Sequence, residues 1–181
     1  GTGGSPPPRR IPGWRGDHPL APGHPAHTRD WQAVLSVARE EGVAVIAMSW
    51  SAGVVPILRA AAAGDRPDAL VDCEGPADRW SIVPPGGNEL ADLDPWREAD
   101  WAGWEPRALI GDLGVPYARV QAARDHIHDG DLQHATRITA AAQSAGHPVR
   151  PLTILPGRLH ASPDAVVEAL QWALTTATGP R

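Results

Sequence analysis

Residues 43–53, VAVIAMSWSAG, constrain the fold more than any other stretch of this 181-residue chain. Residues 43–48 are almost unbroken apolar, rich in β-branched side chains and too short for a helix. That pattern predicts a strand buried on both faces, which is the habit of parallel sheets covered by helices. Five residues later an Ala-rich run, 54–63, predicts a helix closed by Gly64. Pro56 falls in its first turns, where a missing N–H costs little. The unit is therefore strand, sharp turn, helix.

The same alternation continues along the chain. Trp31, Val34, Leu35 and Ala38 recur at helical spacing and predict a helix over 30–41, capped by Thr28 or Asp30 and stopped by Gly42. Further strands are expected at 69–73, 117–122 and 149–155, and a short helix at 107–113. A helix over 131–144 should face Leu132, Ala135, Ile138, Thr139 and Ala142 inward. A last helix starts at Ser162-Pro163-Asp164, with a capping serine, proline at the first position and an acid in the first turn, and runs to about Thr176. Its apolar residues are Val166, Val167, Leu170, Trp172 and Leu174. Strands and helices in alternation imply an α/β fold with a mostly parallel sheet, right-handed crossovers and sites at the carboxyl ends of the strands.

Composition narrows the chemistry. The chain is 42% hydrophobic with a net charge of −5, and all 16 basic residues are Arg without a basic cluster, which argues against nucleic acid as a partner. No apolar run is long enough to span a membrane. One cysteine, Cys73, excludes an internal disulfide and reads as a buried thiol. Residues 1–29 are rich in Pro and Gly; His18, His24 and His27 among them lack partners at metal-ligand spacing.

Ser51 stands between small residues, Ser49 and Gly53, at the junction of the first strand and its helix. A sharp turn there lifts the serine hydroxyl above the sheet, and small neighbours let the two backbones approach. A serine needs a base, and the base needs an acid to hold its tautomer. Asp125 follows the third expected strand and His160 the fourth, so Ser, Asp and His lie in that chain order at three strand ends. Asp72, Glu74 and Asp78, after the second strand, are rival acids. Asp125 is preferred because His126 and Asp129 beside it mark a polar loop.

In these pieces the sequence resembles the α/β-hydrolase superfamily, closest to dienelactone hydrolases and prolyl-oligopeptidase-type peptidases. The resemblance rests on the turn at 49–53, the strand and loop at 119–126 and the stretch 155–160, and it covers nearly all of the chain. Residues 1–5 are similar to the turn after the family's fourth strand. The resemblance thus implies a single partial domain over 1–181, strands five to eight of the fold, with the first four strands missing. It also implies a serine hydrolase acting on an ester, thioester or peptide through an acyl-enzyme on Ser51, with Asp125 and His160, the Ala52 amide at the oxyanion, and no cofactor or metal. Ser49 stands where the family has glycine, and the loop that supplies the second oxyanion donor is not in the chain.

Residues 77–107 carry Trp80, Trp96, Trp101 and Trp104 in a long irregular connection, which reads as a lid-like insertion. Trp50, Trp96 and Trp101 are the expected lining of a site for a small ester or peptide substrate. Two other readings compete: metal chemistry on the His/Asp cluster over 125–134, and a fold that kept its sheet without catalysis.

Overall fold

The computed structural model describes residues 25–81, 86, 105–125, 132–158 and 161–179. Helix α1 (Pro25–Glu40) leads into strand β1 (Ile46–Trp50), a 3-10 turn (Ser51–Gly53) and helix α2 (Val54–Ala62). Strand β2 (Ala69–Cys73) is followed by a 3-10 turn (Arg79–Ser81), the single-turn helix α3 (Pro106–Leu109), a further 3-10 turn (Ile110–Asp112) and strand β3 (Tyr117–Ala122). Helix α4 (Gln133–Ser144), strand β4 (Thr153–Leu155) and helix α5 (Pro163–Thr178) complete it.

Among the described residues the strands form one sheet in the order β1-β2-β3-β4, every pair parallel. Because the strands add in one direction, right-handed crossovers put α2, α3 and α4 on one face. There Ala47, Leu70 and Tyr117 pack with Val55, Ile57 and Leu58 of α2 and Ile138 and Ala142 of α4. Helix α5 returns across the other face, where Ala165, Val166, Ala169 and Ala173 meet Val71, Cys73, Ala118 and Val120. Alanines along the inner side of α5 let it lie close to the sheet, while Val167 and Leu174, expected along that helix, are about half exposed.

Strands β2 and β3 have the expected limits. β1 begins three residues later than the apolar run suggests, because ladder pairing starts at Ile46 opposite Ala69. β4 is shorter than 149–155: Val149 makes an isolated bridge to Tyr117, and regular pairing resumes only at Thr153. α1 starts at Pro25, before the expected caps, with proline in the first turn, and of its apolar stripe Leu35 is buried while Val34 is exposed. Ser162 caps α5 as expected, its hydroxyl accepting from the Ala165 amide at 3.5 Å. No helix among the described residues is long and apolar enough to cross a membrane.

Candidate active site

At the carboxyl end of β1 the chain leaves the sheet through Ser51, whose φ is +51°, after Trp50 in extended conformation (φ −126°, ψ 130°). A left-handed backbone at a residue other than glycine costs about 1–3 kcal/mol and persists only where its surroundings impose it. Here the imposing parts are β1 on one side and α2, whose Val54, Val55, Ile57 and Leu58 are fully buried, on the other. Strand β1 is not buried on both faces as its apolar run suggests, because it is the edge strand among the described residues. It buries Ala47 and Ser49, while Met48 and Trp50 are 44% and 43% exposed. A Cβ at Gly53 would lie 4.0 Å from the Ser49 Cβ, ordinary contact distance, so a serine in place of glycine at 49 fits the turn. Ala52 belongs to the first turn after Ser51, and amides there have no intrahelical acceptor.

The rival acids at the end of β2 are all employed in holding the structure. Asp72 is fully buried. Its Oδ1 accepts from the Gly75 amide at 3.1 Å and the Ser49 hydroxyl at 3.3 Å. Its Oδ2 accepts from the Tyr117 hydroxyl at 2.8 Å and Arg119 Nη1 at 2.6 Å. A Cβ on Gly75 would come within 2.6 Å of Asp72 Oδ1 and 2.7 Å of Val54 Cγ1, so only glycine lets the chain close round this carboxylate. Burial, then the charge of Asp72, push the Tyr117 phenol well above its ordinary 10.0. Desolvation lowers the Arg119 pKa, but Asp72 and Tyr117 outweigh it and the net shift is upward. Glu74 is buried with φ +59°, and its Oε1 accepts from the Ala122 amide at 3.2 Å. Asp78 receives Arg137 of α4 through two nitrogens, each at 3.1 Å.

Asp125 lies three residues beyond β3 and is 4% exposed. Gln121 Nε2 donates to its Oδ2 at 2.8 Å, and His134 Nε2 of α4 is 3.5 Å from the same oxygen. The Arg124 amide donates to the Arg158 carbonyl at 2.9 Å, so the loop after β3 runs beside the loop after β4. His160, Trp96 and Trp101 lie outside the described residues, as does most of the expected lid and of the His/Asp cluster. Of that lid both ends are placed and they meet: Arg107 N donates to Ala77 O at 2.6 Å and Arg79 N to Glu105 Oε1 at 3.2 Å. Trp50 is 43% exposed. Among the described residues no three His, Cys, Asp or Glu side chains are grouped to hold a metal.

The reading of the sequence gave no role at the site to Gln121, Arg119 and Tyr117, and placed His134 only in a candidate metal cluster. A signal existed for the first three: Tyr117, Arg119 and Gln121 alternate with Ala118, Val120 and Ala122, so β3 puts its polar groups on one face. His134, fully buried on α4, stood in the sequence only as the end of the His/Asp cluster over 125–134; its approach to Asp125 is set by how α4 packs.

A parallel sheet with helices on both faces is an α/β fold, and solved structures of the α/β-hydrolase fold share it with this chain. TT1662 from Thermus thermophilus superposes with a TM-score of 0.65 at 18% identity, over 99% of this chain and 74% of that one. A puromycin-hydrolysing peptidase of Mycobacterium tuberculosis gives a TM-score of 0.62 at 19% identity, over 83% of this chain and 25% of that one. A Klebsiella pneumoniae protein assigned as a dienelactone hydrolase gives 0.56 at 16% identity, over 84% and 60%. The chain thus spans about a quarter of the length of the peptidase. No protein-family model and no curated protein matches it.

Proposed function

We propose that this chain carries the catalytic residues of a serine hydrolase that cleaves an ester, thioester or peptide bond. The observation that carries the reading is the left-handed Ser51 at the turn from a parallel strand to a helix, in a fold shared with enzymes named as peptidases and hydrolases. In this reading the Ser51 hydroxyl attacks the carbonyl carbon. His160 takes the proton and returns it to the leaving group, and Asp125 holds the imidazole in the right tautomer and stabilises its charged form. The Ala52 amide donates to the oxyanion. Water then releases the acyl group from Ser51, and His160 serves again as base. The insertion whose ends meet at Ala77 and Arg107 would roof the site, with Trp96 and Trp101 selecting among small ester or peptide substrates.

The test is labelling by a fluorophosphonate probe followed by peptide mapping. Label on Ser51 that is absent from Ser51→Ala is the expected result. Label elsewhere, or label that persists in Ser51→Ala, overturns the assignment and leaves a fold without this chemistry.

A further inference from the structure

A continuous row of hydrogen bonds crosses three strands beneath the candidate site. It starts at Ser49, two residues before Ser51. Ser49, Asp72 and Arg119 are ladder neighbours on β1, β2 and β3, and their side chains share one face of the sheet. Ser49 Oγ donates to Asp72, Arg119 Nη1 donates to Asp72, Arg119 Nη2 donates to Gln121 Oε1 at 2.5 Å, and Gln121 Nε2 donates to Asp125 Oδ2 at 2.8 Å. We propose that Arg119 and Gln121 are positioning residues, which fix the Asp125 carboxylate relative to the Ser51 turn and keep it in the form that accepts hydrogen bonds. The proposal rests on the reading of Ser51 and Asp125 as catalytic partners.

Hydrogen-bond direction is decisive here. A guanidinium donates and never accepts, so Arg119 forces the Gln121 amide to present its oxygen. The NH2 group then faces Asp125 and requires an acceptor there. No other uncharged side chain of that length offers an acceptor at one corner and a donor at the other. Asp125 itself sits on a turn, and groups on loops are less precisely held than groups on strands. Gln121 transfers the rigidity of β3 to it. The amide is held a second time by the Ala122 carbonyl at 3.1 Å, and Arg119 by the Gly75 carbonyl at 2.7 Å.

Stability alone is a poor account of the row. Replacing a buried ion pair by apolar side chains is often neutral or stabilising. Arg119 Nε, fully buried, also has no hydrogen-bond partner among the described residues, an arrangement that a core selected only for stability would avoid.

The test compares the parent protein with Gln121→Met, which keeps the length and loses both polar ends, and Gln121→Glu, which keeps the contact to Arg119 but turns an acceptor toward Asp125. Both should melt cooperatively. Misplacing a catalytic group by a fraction of an ångström to an ångström costs up to about 100-fold, so Ser51 labelling should slow at least about tenfold in each. On a p-nitrophenyl ester the loss should fall on kcat with KM within about twofold, since the effect is on chemistry rather than binding. A folded variant that labels Ser51 at the parental rate overturns the proposal. If the parent itself is not labelled at Ser51, the functional reading fails, and an activity-independent readout decides the row. Titration of the Asp125 carboxyl carbon by NMR should give a higher midpoint in Gln121→Met, because a donor to the charged form is gone while His134 on α4 and the Arg119 charge behind it remain. Equal midpoints overturn the proposal.

Discussion

Two neighbouring strand ends carry buried carboxylates with opposite designs. At the end of β2, Asp72 receives four hydrogen bonds from four residues, one of them the Arg119 guanidinium, and is fully enclosed. Every lone-pair direction of that carboxylate is used, so it has nothing left with which to orient an imidazole. At the end of β3, Asp125 stands on a turn and is 4% exposed, with Gln121 and His134 both directed at the same oxygen, Oδ2. Acid residue and strand end are alike in the two places; what differs is that a guanidinium is committed to Asp72 and a neutral amide to Asp125. A carboxylate bound to a guanidinium and saturated by its own fold is a keystone; Asp125, tied to β3 through a neutral amide, is the acid of the proposed reaction.

The largest expected effect separates the two in activity. Asp125→Asn should lower turnover by about 10⁴-fold, the scale seen when a triad acid becomes an amide and the wrong tautomer of histidine is held. The melting temperature should barely move. If Asp125→Asn keeps near-parental turnover while Glu74→Gln removes it in a folded protein, the comparison is inverted and the acid sits at β2.

The second effect separates them in stability. Asp72→Ala leaves Arg119 buried without its counter-charge, which costs about 3–5 kcal/mol. For a domain whose net stability is only about 5–15 kcal/mol, that is unfolding or near it. Urea denaturation reads it directly. The double change Asp72→Leu with Arg119→Met should recover only part of the stability, because no buried charge is then orphaned but the Gly75 amide and the Ser49 and Tyr117 hydroxyls lose their acceptor. It should not recover full turnover, because Gln121 loses the donor that sets its direction.

These expectations also mark what the sequence could and could not show. β2 and β3 were legible to the residue because each strand is bounded by chain-breaking or polar residues: Asp68 before and Glu74-Gly75-Pro76 after one, Pro116 before and Arg124-Asp125 after the other. The start of β1 was not, since residues 43–45 are as apolar as those that pair, and only the ladder partner decides. The Ser51 turn was legible as a pattern of small residues between strand and helix. Its left-handed φ was not, being imposed by packing. Asp125 was legible by its place after a strand. Its partners were not, because Gln121 reaches it through strand pitch and His134 through the docking of α4, and neither is a property of local sequence.

A smaller effect tests the sealed character of the β2 end through Cys73. Burial first, then the charges of Asp72 and Glu74, push the Cys73 thiol from 9.0 up to about 12, against a lesser opposing pull from Arg119. An acid whose folded pKa is raised favours the native state while it stays protonated. Its contribution is therefore intact below pH 9.0 and is lost as pH rises toward about 12. The native protein should resist thiol reagents at neutral pH and react only on unfolding, and in Cys73→Ala the fall of stability above pH 9 should be shallower. Fast modification of the native protein would show that the end of β2 is open, and the contrast with Asp125 would weaken.

The smallest expected effect lies at the turn after β1, beside the β2 end. Ser49 is buried and gives Asp72 its longest hydrogen bond, at 3.3 Å. Removing that hydroxyl in Ser49→Ala should cost about 0.5–1.5 kcal/mol, the net worth of an ordinary hydrogen bond, because three other donors still satisfy Asp72. Ser49→Gly should cost about 0.5–1 kcal/mol more than Ser49→Ala, since glycine loses more freedom on entering a strand. Gly53 has φ −61° and a Cβ there would meet only the Ser49 Cβ at 4.0 Å, so Gly53→Ala is open to L side chains on both counts. By restricting the unfolded chain it should stabilise by about 0.4–1 kcal/mol, and more in the Ser49→Gly background if the two Cβ atoms compete for space. A double-mutant cycle on the two positions, read by denaturant midpoint, measures that coupling. A coupling near zero means that position 49 is free to be serine because the turn is wide there. A coupling of about 0.5 kcal/mol or more means that Ser49 takes room a glycine would leave, and that its bond to Asp72 is what makes the exchange tolerable.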